Sequence, residues 1–256
     1  MTLAIVTKRA ILSLALMFVA SLIVPLHSLG WAQPANGPSA AISGFVKFVG
    51  EVPRPQNRIL DYDTIPCQAK SVPDESLVIG SDKGIRYAVV TLEGAAGSKP
   101  IVIPKTTQYL DCRHCRFVPH VLATAVGDSV VIRDYDAVYH SLDAMIPGGK
   151  TLVNWVVNPR GMTAAQSRPT FVPDKPGVVA IICSAHPWMV AYVVVTDTPY
   201  YAVTDRQGHY EISGVPPGNY VLKVWTERLG QQEEKVVLNG GSLAKANFEF
   251  SLSGKP

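Results

Sequence analysis

Three side chains that bind soft transition metals lie close together in the chain: Cys183, His186 and Met189, in the pattern Cys-x2-His-x2-Met. A blue-copper centre takes one thiolate and two imidazoles in a trigonal plane, with a weak and long axial bond to a thioether. This segment therefore supplies three of the four ligands of such a centre. A second histidine has to come from elsewhere in the sequence.

His140 is the candidate for that second imidazole. It ends a run that begins with a turn at Gly127-Asp128 and continues through the β-branched residues 130–132. A turn followed by a strand predicts that His140 stands at a strand end, where the rim of a sandwich could hold it against the cysteine loop.

Strands are also the elements expected around the cysteine loop. Residues 178–182 and 190–195 are short runs rich in β-branched side chains. Similar runs recur from residue 42 onward, separated by Gly, Pro and Asp, and no convincing amphipathic helix is found. The pattern predicts an all-β, antiparallel sandwich or barrel.

The composition allows a sizeable core and argues against a disordered chain. The 256 residues are 47% apolar and 17% charged, which suffices for one large domain or two small ones. The net charge of +3 comes without a block of basic residues, so nucleic-acid binding is not expected.

The N-terminus has the pattern of a signal peptide. Lys8 and Arg9 precede an apolar run at residues 10–26, and small residues up to Ala32 suit a signal peptidase. Without Lys8 and Arg9 the net charge falls to +1, so a strongly charged partner is not indicated.

We predict that residues 1–32 are removed, that residues 33–41 form a flexible segment, and that the mature protein is periplasmic or secreted with no membrane span. An uncleaved membrane anchor is the alternative. The apolar run is short for a span and Pro25 interrupts it, which favours cleavage.

The turn, strand and ligand pattern closely resembles the cupredoxin family, and the short ligand loop is most similar to the amicyanin type. The resemblance runs through Gly127-Asp128, Asp136, His140, Phe171, Pro176-Gly177 and Cys183. It implies a Greek-key β-sandwich that binds one copper ion, which cycles between Cu(I) and Cu(II). The copper ligands that it implies are His140, Cys183, His186 and Met189.

The resemblance also implies where electrons leave the protein. In cupredoxins the loop histidine is the exposed ligand, so His186 is expected to be the electron exit. Pro187 and Trp188 beside it would form an apolar docking patch, although Trp188 could equally be an aromatic residue of the core rim.

Two positions bear on how closely this chain follows the family. Many cupredoxins carry Asn directly after the upstream histidine, where it ties the two ligand loops together, and this chain has Ser141 with one short hydroxyl instead. His120, in Pro-His-Val, is a competing candidate for the upstream ligand. His140 fits better because it follows the turn and strand of the family pattern.

A second β pattern begins near residue 199. Strand-like runs alternate with tight turns, and residues 205–208 can close a hairpin in which Gly208 supplies a positive φ. This part resembles the carboxypeptidase regulatory-like, transthyretin-like sandwich module. We therefore predict a cupredoxin-like domain with an N-terminal β extension at 42–198 and this smaller module at 199–253.

Three cysteines remain if Cys183 binds copper. Cys67, Cys112 and Cys115 are an odd number, which in an oxidising space leaves one pair and one unpaired residue. The segment from Cys115 resembles bacterial cupredoxin-like proteins of the methylamine-utilisation type, which implies a disulfide between Cys67 and Cys115. A bridge between Cys112 and Cys115 is the alternative.

Other metal sites fit the sequence less well. Zinc at Cys183 would leave an open site, because Met is a poor zinc ligand, and no His-Glu-x-x-His pattern supplies a base for hydrolysis. Cys183 or Met189 alone would by default be a buried core residue. Their combination with His140 and His186 argues against that purely structural role. A second metal cluster could be formed by Cys112, His114, Cys115 and His120.

The ligand set points to electron transfer. With four side chains around copper no position is left for a substrate, so we expect a one-electron carrier and not an enzyme. Its partner would be a redox protein such as a c-type cytochrome or a dehydrogenase. The alternative is a copper-holding or cell-surface assembly protein that uses the same β modules for binding.

Overall fold

The computed structural model of the protein describes residues 38–94, 104–146, 150–157 and 169–252. The predicted all-β fold is confirmed, because these residues form strands joined by turns and include no α-helix. None of their elements is a helix long and apolar enough to cross a membrane. The predicted signal peptide lies outside the described residues, as does most of the expected flexible segment.

The strands are short and follow one another closely. In chain order they are β1 (Ala40–Phe48), β2 (Asn57–Ile59), β3 (Ser71–Pro73), β4 (Val78–Ile79), β5 (Ile85–Arg86), β6 (Val89–Gly94), β7 (Thr107–Cys112), β8 (Phe117–Val118), β9 (Val121–Ala125), β10 (Ser129–Asp134), β11 (His140–Ile146), β12 (Lys150–Val157), β13 (Thr170–Phe171), β14 (Gly177–Cys183), β15 (Val190–Thr196), β16 (Tyr201–Val203), β17 (His209–Val215), β18 (Gly218–Thr226), β19 (Gly230–Leu238), β20 (Leu243–Lys245) and β21 (Phe248–Phe250).

The first sandwich contains the predicted copper ligands. One sheet has the order β13-β10-β7-β8, and the other has the order β12-β11-β14-β15-β9. Side chains from both sheets meet in one core that includes Leu110, Ile132, Leu142 and Ile181, each exposed by 1% or less. Alternate residues of a strand face the same side, so each β-branched run buries one face in this core.

The second sandwich is built from both ends of the described chain. β1 lies in the middle of one sheet, between β17 on one side and β20 and β21 on the other, and β6 lies between β16 and β18 in the second sheet. Ile42, Val46 and Leu92 from β1 and β6 are fully buried together with Leu222. In sequence, the strands of the first sandwich are thus inserted between β6 and β16.

The N-terminal part differs from the sequence expectation in two respects. Ala40 and Ala41, which the prediction assigns to a flexible segment, belong to β1, and Ala40 is only 1% exposed. The predicted N-terminal β extension supplies the two middle strands of the second sandwich, so it pairs mainly with C-terminal strands. The boundary between residues 198 and 199 stays a prediction.

The tight turn predicted at residues 205–208 is present, but it does not close a hairpin, because the flanking strands β16 and β17 belong to different sheets. Gly208 has a φ of +75°, and its N–H donates to the carbonyl of Asp205 at 3.0 Å. A Cβ at Gly208 would lie 2.3 Å from the carbonyl oxygen of Val46. Both the backbone angle and the close approach of β1 therefore require glycine.

Residues 60–70, which we call the cap loop, connect β2 to β3 and are tied to the first sandwich. Cys67 in this loop forms a disulfide with Cys115, which confirms the predicted pairing, and Cys112 is a buried free thiol. A crosslink across a sequence separation of 48 removes chain entropy worth about 4 kcal/mol from the unfolded state. The disulfide therefore holds the cap loop near the predicted ligands.

Candidate metal centre

Strand pairing brings His140 and Cys183 together. β11 and β14 are antiparallel neighbours, with Leu142 opposite Cys183. His140 begins β11 and shares a face with Leu142, since side chains alternate along a strand. The N–H of Ser184 donates to the carbonyl of Ser141 at 2.7 Å, which places the start of the ligand loop beside His140.

The backbone of the ligand loop closes on itself. The N–H of Met189 donates to the carbonyl of His186 at 2.8 Å, and the N–H of His186 donates to the carbonyl of Cys183 at 3.2 Å. The N–H of Cys183 in turn donates to the carbonyl of Met189 at 3.1 Å. These bonds hold the three predicted ligands of the loop together at one end of the β14–β15 hairpin.

Donor atoms of His140, Cys183 and His186 converge on one point. The Sγ of Cys183 lies 3.8 Å from Nδ1 of His140 and 3.5 Å from Nδ1 of His186, and the two Nδ1 atoms are 3.1 Å apart. The point equidistant from the three atoms is about 2.0 Å from each, close to the ~2.0–2.3 Å of metal bonds to imidazole and thiolate. The three donors therefore fit a single transition-metal ion.

Met189 lies in the same buried region. Its side chain is 1% exposed and belongs to the core cluster that contains Cys183. His140, Cys183 and His186 are exposed by 0%, 2% and 1%. The four predicted ligands are thus shielded from bulk water, and the axial role of the Met189 thioether stays a prediction.

The charges in the cluster favour a thiolate. Burial raises the pKa of the Cys183 thiol, but hydrogen bonds from His140 and His186 outweigh burial and lower this pKa to about 6. Burial lowers the pKa of His140, but its contacts with Asp136 and Cys183 raise the pKa to about 9. A cysteine that is deprotonated at neutral pH is ready to bind a metal.

A carboxylate holds the far side of the His140 ring. Asp136 accepts hydrogen bonds from Nε2 of His140 at 3.2 Å and from the N–H of Cys115 at 2.9 Å. A proton on Nε2 leaves Nδ1 of the neutral ring free for the metal. Nearby, burial raises the pKa of Asp134 to about 6, and its buried Oδ2 makes no hydrogen bond within the described structure.

The cap loop covers His186. The sequence predicts an exposed ring here, and this prediction is wrong because the side chain is only 1% exposed. Oδ2 of Asp63 lies 3.1 Å from Nε2 of His186, and the ring of Tyr62 stacks on the imidazole with 5.9 Å between centroids. The hydroxyl of Tyr62 donates to the carbonyl of Ala185 at 2.6 Å. The side chains of Tyr62 and Asp63 thus cover the face of His186 expected to contact solvent.

The two residues of the predicted docking patch differ in exposure. Trp188 is partly buried against the core, and its Nε1–H donates to the carbonyl of Cys115 at 3.1 Å. Pro187 is exposed. Trp188 therefore packs as an aromatic residue of the core rim, and its role in docking stays a prediction.

Asp143 of β11 links the strand that begins at His140 to the ligand loop. Its carboxylate accepts hydrogen bonds from the hydroxyl of Ser184 at 2.6 Å and from the amide of Asn154 at 2.8 Å. These two bonds lower the pKa of Asp143. Asp143 thus connects the start of the loop that follows Cys183 to β11 and β12.

His120 lies outside the cluster. Its Nε2 is 2.6 Å from a carboxylate oxygen of Glu227, and its Nδ1 is 3.1 Å from the carbonyl of Val190. Cys115 is in the disulfide with Cys67. The structure therefore does not assemble a second metal cluster around Cys115 and His120.

Sequence reasoning missed Tyr62 and Asp63. The residues around them show no periodicity and no metal-ligand spacing. The only available signal is the predicted disulfide, because pairing Cys67 with Cys115 brings the residues just before Cys67 towards the ligand loop.

The C-terminal part of the chain matches a known family. The model of the carboxypeptidase regulatory-like domain matches residues 184–251, which confirms the predicted resemblance to this module. The match begins in the ligand loop and continues through β21. A search among curated proteins found no match.

Cupredoxins are among the solved structures similar to this chain. A purple cupredoxin from Nitrosopumilus maritimus is 25% identical, with 35% of this chain and 99% of that protein covered and a TM-score of 0.30. An oxidised amicyanin variant is 19% identical, with 43% and 99% covered and a TM-score of 0.30. A copper-containing nitrite reductase from Thermus scotoductus is 24% identical, with 41% and 25% covered and a TM-score of 0.30. At these TM-scores the alignments alone establish neither a shared fold nor a shared activity.

Proposed function

We propose that the protein is a type 1 copper protein that carries single electrons between redox proteins. The observation that carries this proposal is the convergence of Sγ of Cys183 with Nδ1 of His140 and Nδ1 of His186. Two imidazoles and a thiolate, with a thioether from Met189, are the donor set of a blue-copper centre. Copper held by these residues supplies a one-electron Cu(I)/Cu(II) couple.

The surroundings of the ligands suit a carrier better than an enzyme. All four proposed ligands are buried, so no ligand position faces a substrate. His140 and Cys183 begin and end paired strands, and strand pairing limits their movement when the charge of the site changes. The partner that we propose is a redox protein such as a c-type cytochrome or a dehydrogenase.

We also infer that the protein is exported to the periplasm or secreted. The disulfide between Cys67 and Cys115 is typical of proteins in oxidising compartments. The leader-like residues 1–32 support the same conclusion.

Addition of Cu(II) to the purified, metal-free protein tests the copper site. We expect one equivalent of Cu(II) to produce the intense blue absorption of a thiolate-to-copper charge transfer. Cys183→Ser should abolish the colour, whereas Cys112→Ser, which removes the other buried free thiol, should retain it. A colourless wild-type protein with a free Cys183 thiol, or a blue Cys183→Ser variant, would overturn the proposal.

The burial of His186 under the cap loop favours a second function, in which the protein holds copper without exchanging electrons. Mixing the blue protein with a reduced c-type cytochrome in a stopped-flow instrument distinguishes the two functions. Rapid loss of the blue colour supports the electron carrier. A colour that persists although the measured potentials favour reduction supports copper holding.

A further inference from the structure

The His186 ring has a protein partner on each nitrogen atom. Nδ1 lies 3.5 Å from Sγ of Cys183, and Nε2 lies 3.1 Å from Oδ2 of Asp63. An ionised carboxylate only accepts hydrogen bonds, so Nε2 carries the hydrogen and donates it to Asp63. In the neutral ring, Nδ1 then keeps its lone pair for the metal.

Asp63 is anchored on both sides. On one side its carbonyl accepts the N–H of Cys67 at 2.9 Å, and Cys67 is bonded to Cys115. On the other side Tyr62 donates its hydroxyl to the carbonyl of Ala185. Asp63 itself has a φ of +53°, a left-handed conformation that Asp adopts more readily than most residues. The loop thus fixes this carboxylate against the imidazole.

Asp136 makes the same contact with the other imidazole. Its Oδ2 is 3.2 Å from Nε2 of His140, so each proposed histidine ligand donates Nε2–H to a carboxylate. Such a carboxylate orients the ring and increases its basicity towards the metal. Its negative charge also favours Cu(II) over Cu(I), because the more highly charged ion gains more from it.

We propose that Asp63 is a positioning residue of the copper site: it orients His186 through Nε2 and shifts the reduction equilibrium towards Cu(II). This inference rests on the proposed copper function. It assigns the cap loop a role in setting the properties of the copper site in addition to covering it.

Two substitutions of Asp63 and one matched control test this role. Asp63→Asn removes the charge and keeps the size, Asp63→Ala also removes the hydrogen bond, and Asp61→Asn removes the same charge from an exposed position on the cap loop. Affinity for Cu(II) is measured by competition with a chelator, and the reduction potential is measured by spectroelectrochemistry.

We expect both Asp63 variants to remain blue and to bind Cu(II) about 10- to 100-fold more weakly than the wild type. For Asp63→Asn the equilibrium constant for reduction should rise about tenfold, which raises the potential by about 59 mV. Asp61→Asn should match the wild type in both measurements.

Equal affinities and potentials for the wild type and both Asp63 variants would overturn the inference and leave the copper function standing. A wild-type protein that never turns blue would instead overturn the copper function. Thermal unfolding of the metal-free proteins checks that the variants are folded. If Asp63→Ala does not fold, the potential of Asp63→Asn decides.

Discussion

The ring of Tyr62 stacks on the ring of His186, with an angle of 28° between their planes. Tyr62 is 46% exposed, whereas His186 is 1% exposed. Tyr62 also contacts Trp188, with 5.1 Å between ring centroids. A molecule that approaches the proposed copper site from this side therefore meets Tyr62 of the cap loop before it can reach His186.

Tyr62→Ala should expose His186 and accelerate electron exchange with a small oxidant, because the reagent can then approach the imidazole directly. The rate of oxidation of the Cu(I) protein by hexacyanoferrate(III) in a stopped-flow instrument measures this effect. Tyr62→Phe is the control, since it keeps the ring and removes only the hydroxyl that donates to Ala185. If Tyr62→Ala reacts no faster than Tyr62→Phe, the ring does not limit access to His186.

His140→Ala should abolish the blue absorption, because it removes one of three converging donors. His120→Ala should retain the absorption, since His120 binds Glu227 and lies outside the cluster. Loss of that charged hydrogen bond should lower the free energy of unfolding by about 1.5–3 kcal/mol. Visible absorption and urea unfolding measure the two effects, and the opposite pattern of colour would identify His120 as the ligand.

The double variant Cys67→Ser, Cys115→Ser should lower the free energy of unfolding by about 2–5 kcal/mol, because the unfolded chain regains the freedom that the crosslink removes. Urea unfolding of the metal-free proteins measures the change. Cys112→Ala is the matched control, since it removes a buried cysteine and no crosslink. A double variant as stable as this control would show that the disulfide adds nothing to stability.

The proximity of the proposed ligands could be predicted from sequence because most of it depends on local spacing. Cys183, His186 and Met189 belong to one loop, and His140 begins a strand after a recognisable turn. The exposure of His186 could not be predicted in this way, because its cover comes from Asp63, which is 123 residues distant in sequence. No local pattern encodes such a contact, which depends on how the whole chain folds.

The same limit applies to the sheets. Runs of β-branched residues predict the strands, and residues from these runs pack in the core. Their partners depend on the path of the chain. Ile42 in β1 lies opposite Ile212 in β17, and the complete first sandwich lies between them in sequence.

Asp128 should stabilise the protein above its own pKa and lose this effect in acid. Burial raises the pKa of Asp128, but hydrogen bonds from Ala125, Thr106 and Thr124 outweigh burial and hold it below the usual 3.8. A pKa lowered by folding stabilises the protein above 3.8, and the contribution disappears as the pH falls through the lower, folded value.

Asp128→Asn should therefore reduce the free energy of unfolding by about 1.5–3 kcal/mol at pH 7. The difference from the wild type should shrink as the pH falls below 3.8. Urea unfolding at several pH values measures this, with Asp174→Asn as a control at an exposed position. A difference that stays constant down to pH 2 would show that the charge of Asp128 is not the cause.

The second sandwich should not fold from the C-terminal residues alone. A chain of residues 199–252 lacks β1 and β6, the strands in the middle of its two sheets, and leaves the partners of Leu222 and Ile212 missing. A chain that joins residues 38–94 to residues 198–252 through a short Gly/Ser linker should fold.

The linker can be short because β6 and β16 are antiparallel neighbours, with Thr91 opposite Tyr201. Cys67→Ser is included in the joined chain, since its partner Cys115 is absent from it. Far-UV circular dichroism and urea unfolding of the two chains test the prediction, with a cooperative transition expected only for the joined chain. A cooperative transition of residues 199–252 alone would show that this sandwich forms without β1 and β6, and that the two N-terminal strands are added to a module that is already stable.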